Sequence, residues 1–302
     1  MSNNTLGIPQ ANSDVLNKEP KTLLIGYGWV GQFVHKYFTQ ADVWTPSKGL
    51  VNKDGELYDR AHEPQSWDVA FISTPTPMNK DGSCDTSAVE SSVDLWHTKV
   101  KLFIVRSTIV PGTIDKLAAK YPENLFVMQP EYLGETLGHP LFALDYQTFI
   151  ILGGKKAATQ FAAECWSRVL HPGSKIRQLS SAMAGEFCKY MENSFLAAKV
   201  IFVNDWARLC RKMGVDFLEL REAWLDDPRI GRSHTFAYEG NPGFSGKCLP
   251  KDLNSIAHFA RQQGSPLELV EALLKINAKM REGIKSSVPL LPEDENDIDS
   301  QK

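Results

Sequence analysis

The stretch LLIGYGWVGQFV, residues 23–34, decides the fold. Its apolar start predicts a buried strand, and three glycines then follow in G-x-G-x-x-G spacing. Between a strand and a helix, glycines at this spacing allow a tight turn and let a diphosphate approach the helix N-terminus. The stretch predicts a dinucleotide-binding turn, although a chance glycine-rich turn would share the spacing. The residues assigned to the cofactor here are Gly26, Gly28, Trp29, Val30 and Gly31.

The next segment, ADVWTPSKG (residues 41–49), lacks a part that usually accompanies such a turn. An Asp or Glu at the end of the second strand normally binds the adenosine ribose. Asp42 comes too early for this role, and Thr45, Ser47 and Lys48 occupy the expected position. Hydroxyls and a cation there could instead receive a 2′-phosphate. NAD is therefore the first choice of cofactor and NADP the alternative.

Short apolar runs alternate with helical patterns through the first half of the chain. Continuous apolar runs are typical of parallel strands buried on both faces, and the alternation favours an α/β, doubly wound (Rossmann-type) parallel sheet over residues 21–180. The predicted strands lie at residues 22–25, 68–73, 102–105, 125–128 and 149–152.

The pattern changes near residue 180. No Pro or Gly falls between Gly185 and Gly214, and apolar residues recur at helical spacing, which predicts one helix of about 45 Å. Residues 181–285 are therefore predicted to form an all-α domain built on this long helix, with a homodimer forming along it. Further helices are expected at 216–225, 252–263 and 266–282. Residues 1–20 and the acidic residues 286–302 are expected to be disordered extensions.

Composition narrows the class of protein. A formal net charge of −3 over 302 residues gives no reason to expect a nucleic-acid partner. No apolar run is long enough for a bilayer and no signal peptide is visible, so we expect a cytoplasmic protein without a membrane partner. The five scattered cysteines form no CxxC pair, which argues against a disulfide framework and a metal site.

Three polar motifs follow predicted strands. They are STPTP (73–77), RSTIVPGT (106–113) and QPEYLGE (129–135). Ligands of doubly wound folds bind at the carboxyl ends of the strands, so these motifs are candidates for the site, with ordinary turn chemistry or a solvated surface as the competing interpretation. The candidates are Thr74, Pro75 and Thr108, and the carboxylates Glu131 and Glu135, which could serve as a general base and a hydrogen-bond acceptor.

The helical half adds a possible nucleophile and an anion clamp. Lys189 and Asn193 are four residues apart and share a helix face, although a snorkelling lysine would fit the same pattern. Cys248 lies in the loop NPGFSGKCLPKD (241–252), where Lys247 and Lys251 could lower its pKa. Cysteine, lysine and a dinucleotide together permit oxidation of an alcohol to an acid through a thioester. The alternative for any one cysteine is a small buried hydrophobe.

Six ordered motifs between about residue 21 and about residue 283 resemble the UDP-glucose/GDP-mannose dehydrogenases: GYGWVG, STPTP, RSTIVPGT, PEYLGE, KYMENSFLAAKVIFVNDWA and GFSGKCLPKD. The resemblance implies a four-electron oxidation of the C6 alcohol of a nucleotide sugar by two NAD, with UDP-glucose expected first and GDP-mannose as the alternative.

The resemblance also implies roles for individual residues. Cys248 is similar to the thioester nucleophile, Lys189 and Asn193 to the oxyanion-binding pair, and Asp252 to the aspartate that works with that lysine and water. Thr108 and Glu131 match residues that hold and activate the water. Glu135 matches an acidic partner in the substrate loop. Besides the glycine-rich turn, the residues assigned to the cofactor are Thr74, Pro75, Thr108, Glu135 and Lys251. Those assigned to the substrate are Glu131, Tyr132, Leu133, Glu135, Lys189, Asn193, Arg229, Phe244 and Gly246, with Arg229 reaching it from a neighbouring subunit.

The family carries a further α/β domain that grips the nucleotide, and by that standard this chain is expected to lack it. Two alternatives to an active nucleotide-sugar dehydrogenase therefore stay open. One is a non-catalytic dinucleotide-binding or partner-dependent relative. The other is a two-electron hydroxyacid dehydrogenase, which would not need Cys248.

Overall fold

The computed structural model describes residues 20–59, 61–133, 148–282 and 284. The expected extensions at residues 1–19 and 286–302 and the candidate Glu135 lie outside these ranges. Eight strands lie in the described part: β1 (Thr22–Ile25), β2 (Asp42–Thr45), β3 (Gly49–Val51), β4 (Trp67–Ile72), β5 (Val100–Val105), β6 (Leu125–Met128), β7 (Phe149–Gly154) and β8 (Lys175–Leu179). All five strands predicted from apolar runs are present.

The helices in the described ranges follow the predicted pattern closely. They are α1 (Trp29–His35), α2 (Ser87–Trp96), α3 (Thr113–Lys120), α4 (Lys156–Ser167), α5 (Ala182–Met213), α6 (Phe217–Trp224), α7 (Cys248–Gln262) and α8 (Glu268–Met280). The long helix α5 has 32 residues and ends at Gly214, whose left-handed conformation terminates it. None of the described helices combines the length and apolar composition of a membrane span.

The strands form one sheet in the order β3-β2-β1-β4-β5-β6-β7-β8. The five central strands, β2, β1, β4, β5 and β6 in sheet order, are parallel, which confirms the doubly wound α/β prediction. Strand β3 pairs antiparallel with β2, and β7 pairs antiparallel with β6. The expectation that residues 149–152 form a further parallel strand is therefore wrong. An apolar run reports burial on both faces of a strand and carries no information about its direction.

Both faces of the sheet are covered, because successive side chains of a strand point to opposite faces. Leu23 and Ile25 pack with α2 and α3, while Leu24 packs with α1 and α4. A third apolar cluster joins α5, α7 and α8. Helix α5 reaches the sheet where Gly185 meets Gly153, and a Cβ on Gly153 would lie 2.8 Å from the Cα of Gly185. These two glycines let the helical part seat closely on the sheet.

Candidate functional site

The glycine-rich turn has the shape that its spacing predicts. Gly26 directly follows β1 with φ +88°, a conformation that favours glycine, and a Cβ there would lie 2.7 Å from the carbonyl oxygen of Ser73. Gly28 precedes α1, and a Cβ on it would meet no atom within 4 Å. A Cβ on Gly31 would lie 2.3 Å from the carbonyl oxygen of Gly26. The turn is thus tight at its first and third glycines and open at its second, where a dinucleotide approaches in this type of fold.

Two buried hydroxyls beside this turn have no partner in the described part of the chain. Ser73 Oγ and Thr74 Oγ1 follow β4, and neither makes a hydrogen bond. The carbonyl of Thr74 accepts a 2.7 Å hydrogen bond from Ser107 Oγ, which ties the ends of β4 and β5 together. Pro75 is exposed at the same edge. Because buried hydroxyls normally find partners, these two fit a site that a polar ligand completes. The residues present therefore fit a bound dinucleotide.

The end of β2 offers hydroxyls and a lysine. Thr45 Oγ1 accepts a 3.1 Å hydrogen bond from the backbone N–H of Lys48 and lies 3.4 Å from Ser47 Oγ. Asp42 lies at the other end of the strand, where its carboxylate accepts hydrogen bonds from Tyr58 and Trp67. Asp42 is therefore a structural residue, as its early position suggests.

Cys248 is the first residue of α7. The helix N-terminus carries partial positive charge, which stabilises a thiolate. One helical turn later, Asp252 is 1% exposed, and its two carboxylate oxygens accept hydrogen bonds from Asn193 Nδ2 at 2.5 Å and from Lys251 Nζ at 2.6 Å. A buried carboxylate with one amide and one ammonium partner is fixed in position.

Helices α5 and α7 are held together around this contact. Tyr190 OH lies 3.0 Å from Ser255 Oγ, and it donates a 3.1 Å hydrogen bond to the carbonyl of Ile109, in the loop after β5. Tyr190 therefore joins both helices to the carboxyl edge of the sheet. This contact brings the cysteine loop and the strand ends into one site.

Lys251 connects the two parts of the site electrostatically. Burial has the largest single effect and would lower the pKa of Lys251, but the Asp252 carboxylate, Cys84 and Cys248 together outweigh it, so the pKa is raised. Cys84 Sγ donates to the carbonyl of Thr108 at 3.5 Å. Burial raises the pKa of the Cys84 thiol, although Lys251 opposes the shift. Thr108 is thus linked to α7 by its hydrogen bond from Cys84 and by the electrostatic interaction between Cys84 and Lys251.

The turn at Glu131 has a separate set of contacts. Lys189 Nζ donates to the backbone carbonyl of Glu131 and lies 5.6 Å from the ring centroid of Tyr132. The Glu131 carboxylate pairs with Arg106 and accepts hydrogen bonds from the N–H groups of Tyr132 and Leu133. Lys189 therefore meets the substrate-loop residues in this structure, whereas the described partners of Asp252 are Asn193 and Lys251.

Three candidates lie apart from these contacts. The Arg229 side chain is 87% exposed and pairs with Asp227. Phe244 is buried in the helical core, and its backbone N–H and carbonyl both bond to the Asn277 side chain. Phe244 thus supports the loop through both of its backbone polar groups. Gly246, with φ +83° and open space around it, is the position in this loop where a ligand can approach.

Sequence reasoning missed three residues that the structure brings to the site: Cys84, Arg106 and Glu186. Glu186 on α5 accepts hydrogen bonds from the N–H groups of Gly112 (2.6 Å) and Ile114 (3.1 Å), and burial raises its pKa to about 7. The position of Arg106 directly after a buried strand was a usable signal. No pattern in the sequence pointed to the other two. The described residues hold no cluster of His, Cys, Asp and Glu suited to a metal ion.

Known proteins match both parts of this chain. Residues 53–170 match the NAD binding domain of the UDP-glucose/GDP-mannose dehydrogenase family, and residues 183–279 match its central domain. YtcA of Bacillus subtilis is 33% identical over 219 residues, which cover 69% of this chain and 50% of that protein. The UDP-glucose 6-dehydrogenase of Rickettsia prowazekii is 28% identical over 225 residues, 72% of this chain and 50% of its own.

A UDP-glucose dehydrogenase structure from Pyrobaculum islandicum superimposes with a TM-score of 0.73 at 23% identity, covering 91% of this chain and 70% of that one. At this identity the likeness supports the fold alone. The chain spans about half the length of the curated relatives it matches.

Proposed function

The chain belongs to the UDP-glucose/GDP-mannose dehydrogenase family, and on that premise we propose that it oxidises the C6 alcohol of a nucleotide sugar to a carboxylate with NAD. The observation that carries the proposal is the buried Asn193–Asp252–Lys251 contact one turn from Cys248. UDP-glucose is the substrate proposed first, because the Rickettsia relative is named for it.

The dinucleotide would occupy the turn at Gly26, Gly28 and Gly31 and satisfy the buried hydroxyls of Ser73 and Thr74. When bound, NAD accepts a hydride from the substrate carbon in each of two oxidations. The protein supplies the binding site, holds the sugar in place and keeps its own nucleophile ready.

In the first oxidation, the alcohol loses a hydride to the bound dinucleotide and a proton to water, which gives an aldehyde. The Cys248 thiolate then adds to the aldehyde carbon, so a C–S bond forms and the carbonyl oxygen becomes negatively charged. Lys189 has three N–H donors, one of which is used by the Glu131 carbonyl, and Asn193 lies one turn away on the same helix. These two side chains are proposed to stabilise the oxyanion.

Loss of a second hydride from the same carbon leaves a thioester on Cys248. Water then attacks, the C–S bond breaks, and the products are a carboxylate and the free thiol. Asp252 is proposed to take the proton from this water, since its carboxylate is already fixed by two donors. Thr108 and Glu131 are proposed to place the water.

We also propose a homodimer formed along α5. Seven exposed apolar side chains, here called the α5 stripe, recur at helical spacing on this helix: Phe187, Met191, Phe195, Phe202, Trp206, Leu209 and Met213. A continuous exposed apolar face on a soluble domain marks an interaction surface. The exposed Arg229 would be free to reach a site in the partner subunit after giving up its contact with Asp227.

The proposal is tested by NADH formation from UDP-glucose, with GDP-mannose in parallel and with NAD and NADP compared. Two reduced cofactors per sugar would support the four-electron route, and one would indicate a simple alcohol oxidation. If no sugar nucleotide is oxidised while NADH still binds, the chain is a dinucleotide-binding relative or a subunit that needs a partner, and the proposal fails.

A further inference from the structure

Arg106 is a charged residue in an apolar setting. It directly follows β5, where Leu102 and Ile104, four and two residues before it, lie in the buried core on one face of the sheet. Its side chain has 0% exposure, and the guanidinium carbon lies 6.0 Å from the ring centroid of Phe33 on α1. Burial lowers the pKa of Arg106, and the neighbouring Glu131 carboxylate opposes that shift.

The Arg106 guanidinium is only partly satisfied. Its Nη2 donates to Glu131 Oε2, but Nε and Nη1 have no hydrogen-bond partner in the described structure. A buried donor left without a hydrogen bond is destabilising. A buried ion pair is often no more stabilising than apolar residues of the same size. Stability therefore gives no reason for an arginine at this position.

The ion pair fixes the orientation of the Glu131 carboxylate. While Oε2 faces Arg106, Oε1 accepts hydrogen bonds from the N–H groups of Tyr132 at 2.7 Å and Leu133 at 2.6 Å. The side chain of Glu131 thus closes the turn in which it lies. Without Arg106, the carboxylate would be free to rotate toward water, and the turn would lose this anchor.

Lys189 rests on the turn that Glu131 closes. Its ammonium donates to the Glu131 carbonyl and faces the ring of Tyr132 at 5.6 Å. Arg106, the Glu131 turn and Lys189 therefore form a continuous series of contacts from β5 to α5. We propose that Arg106 is a positioning residue, which acts through Glu131 to hold the Lys189 ammonium in place for the cysteine-dependent step. The effect of Arg106 on the cysteine-dependent step rests on the proposed function, whereas the coupling of the three residues does not.

The coupling is tested without turnover by trace acetylation of lysines, read by mass spectrometry, in wild type, Arg106→Gln, Glu131→Gln and the double variant. The exposed Lys120 on α3 serves as the internal reference. Loss of one hydrogen bond corresponds to about 1 kcal/mol, so we expect Lys189 to react about fivefold faster in Arg106→Gln. The double variant should react no faster than the faster single variant, because both act through one contact. An unchanged Lys189 rate, or effects that multiply, would overturn the proposal.

Arg106→Lys keeps the charge and guards against a folding defect in Arg106→Gln. We expect it to restore most of the Lys189 protection, with a melting temperature reported for every variant. In the activity assay, Arg106→Gln should lower kcat for acid formation and leave the KM for NAD unchanged, and added guanidinium should restore part of the rate. Coupled labelling in a protein that oxidises no sugar would uphold the positioning and refute the proposed function. Sugar oxidation by a protein in which Lys189 labelling does not respond to Arg106→Gln would uphold the proposed function and refute the positioning role of Arg106.

Discussion

At the scale of single residues, the contacts of Asp252 distinguish two lysines of the predicted site that carry the same charge. Lys189 and Lys251 are both cations of the predicted site, yet only Lys251 reaches the Asp252 carboxylate, and Lys189 binds the Glu131 carbonyl. The two lysines are therefore expected to differ in function, Lys251 as a charge partner of Asp252 and the thiols, and Lys189 as a donor near the sugar. Residue type alone would have assigned the same function to both lysines.

Substitution of Cys248 by Ala tests the nucleophile directly. We expect acid formation to fall by about a thousandfold or more, because removal of a covalent nucleophile has an effect of this size. The NADH affinity, measured by fluorescence titration, should be unchanged. Cys210→Ala is the matched control, since Cys210 is a buried thiol near the far end of α5. Full turnover by Cys248→Ala would refute the thioester route.

Lys48 tests the cofactor alternative at the end of β2. If a 2′-phosphate binds there, Lys48→Ala should weaken NADP binding by about tenfold and leave NAD binding unchanged, because a charge-assisted hydrogen bond is lost. Lys53→Ala is the control, since Lys53 is a nearby lysine that pairs with Asp54. The phosphate hypothesis fails at once if the wild-type protein does not bind NADP.

At the scale of elements, two glycines at the start of α1 are expected to serve different purposes. Gly31 is needed for close packing of the backbone, and Gly28 for the approach of the dinucleotide. Gly31→Ala would bring a Cβ to 2.3 Å from the Gly26 carbonyl oxygen, and we expect a loss of about 1–3 kcal/mol in the free energy of unfolding. Gly28→Ala meets open space and should unfold like wild type. Its methyl group would however face the dinucleotide, so NADH affinity should fall about tenfold or more. Wild-type NADH binding by Gly28→Ala would show that the diphosphate does not approach there.

The contact between α5 and α3 predicts a pH dependence of stability. Burial raises the pKa of Glu186 to about 7, above its ordinary value of 4.5. A carboxyl whose pKa is raised on folding contributes most stability below its unfolded pKa and loses it as the pH rises through the folded pKa. We expect the wild type to lose about 3 kcal/mol relative to Glu186→Gln between about pH 4.5 and pH 8, measured by urea unfolding. Parallel pH profiles for the two proteins would contradict this.

Helices and turns were predicted correctly where the sequence pattern that indicates them lies within the element itself. Helix α5 was predicted from uninterrupted helical spacing, and the glycine turn from three residues that each need a special conformation or close contact. The early strands β2 and β3 form a hairpin around the turn at residues 46–48, which the apolar pattern did not predict. Strand β8 was missed as well, since its sequence KIRQL carries charges along an exposed edge. Charged edge strands protect a sheet from further pairing and hide the apolar signal.

For the whole molecule, the α5 stripe predicts self-association. Phe195→Glu, at a position that is 64% exposed, should convert a dimer into a monomer, because a charge would be buried in an apolar interface. Light scattering after size-exclusion chromatography measures the mass. Leu95→Glu, at an exposed apolar residue on α2, is the control and should leave the mass unchanged. A monomeric wild type at micromolar concentration, or a dimeric Phe195→Glu, would remove the α5 stripe as the interface.

The sequence by itself determined the parts of this protein whose signals are local. These are the dinucleotide turn, the central strands and the long helix, because spacing, propensity and glycine conformation act over a few residues. Only the tertiary structure decided the direction of β7, the Lys251–Asp252 pair and the burial of Arg106 against Glu131. Each of these depends on residues brought together by the packing of distant segments, and the free energy of a buried charge is set by those neighbours rather than by its own position in the chain.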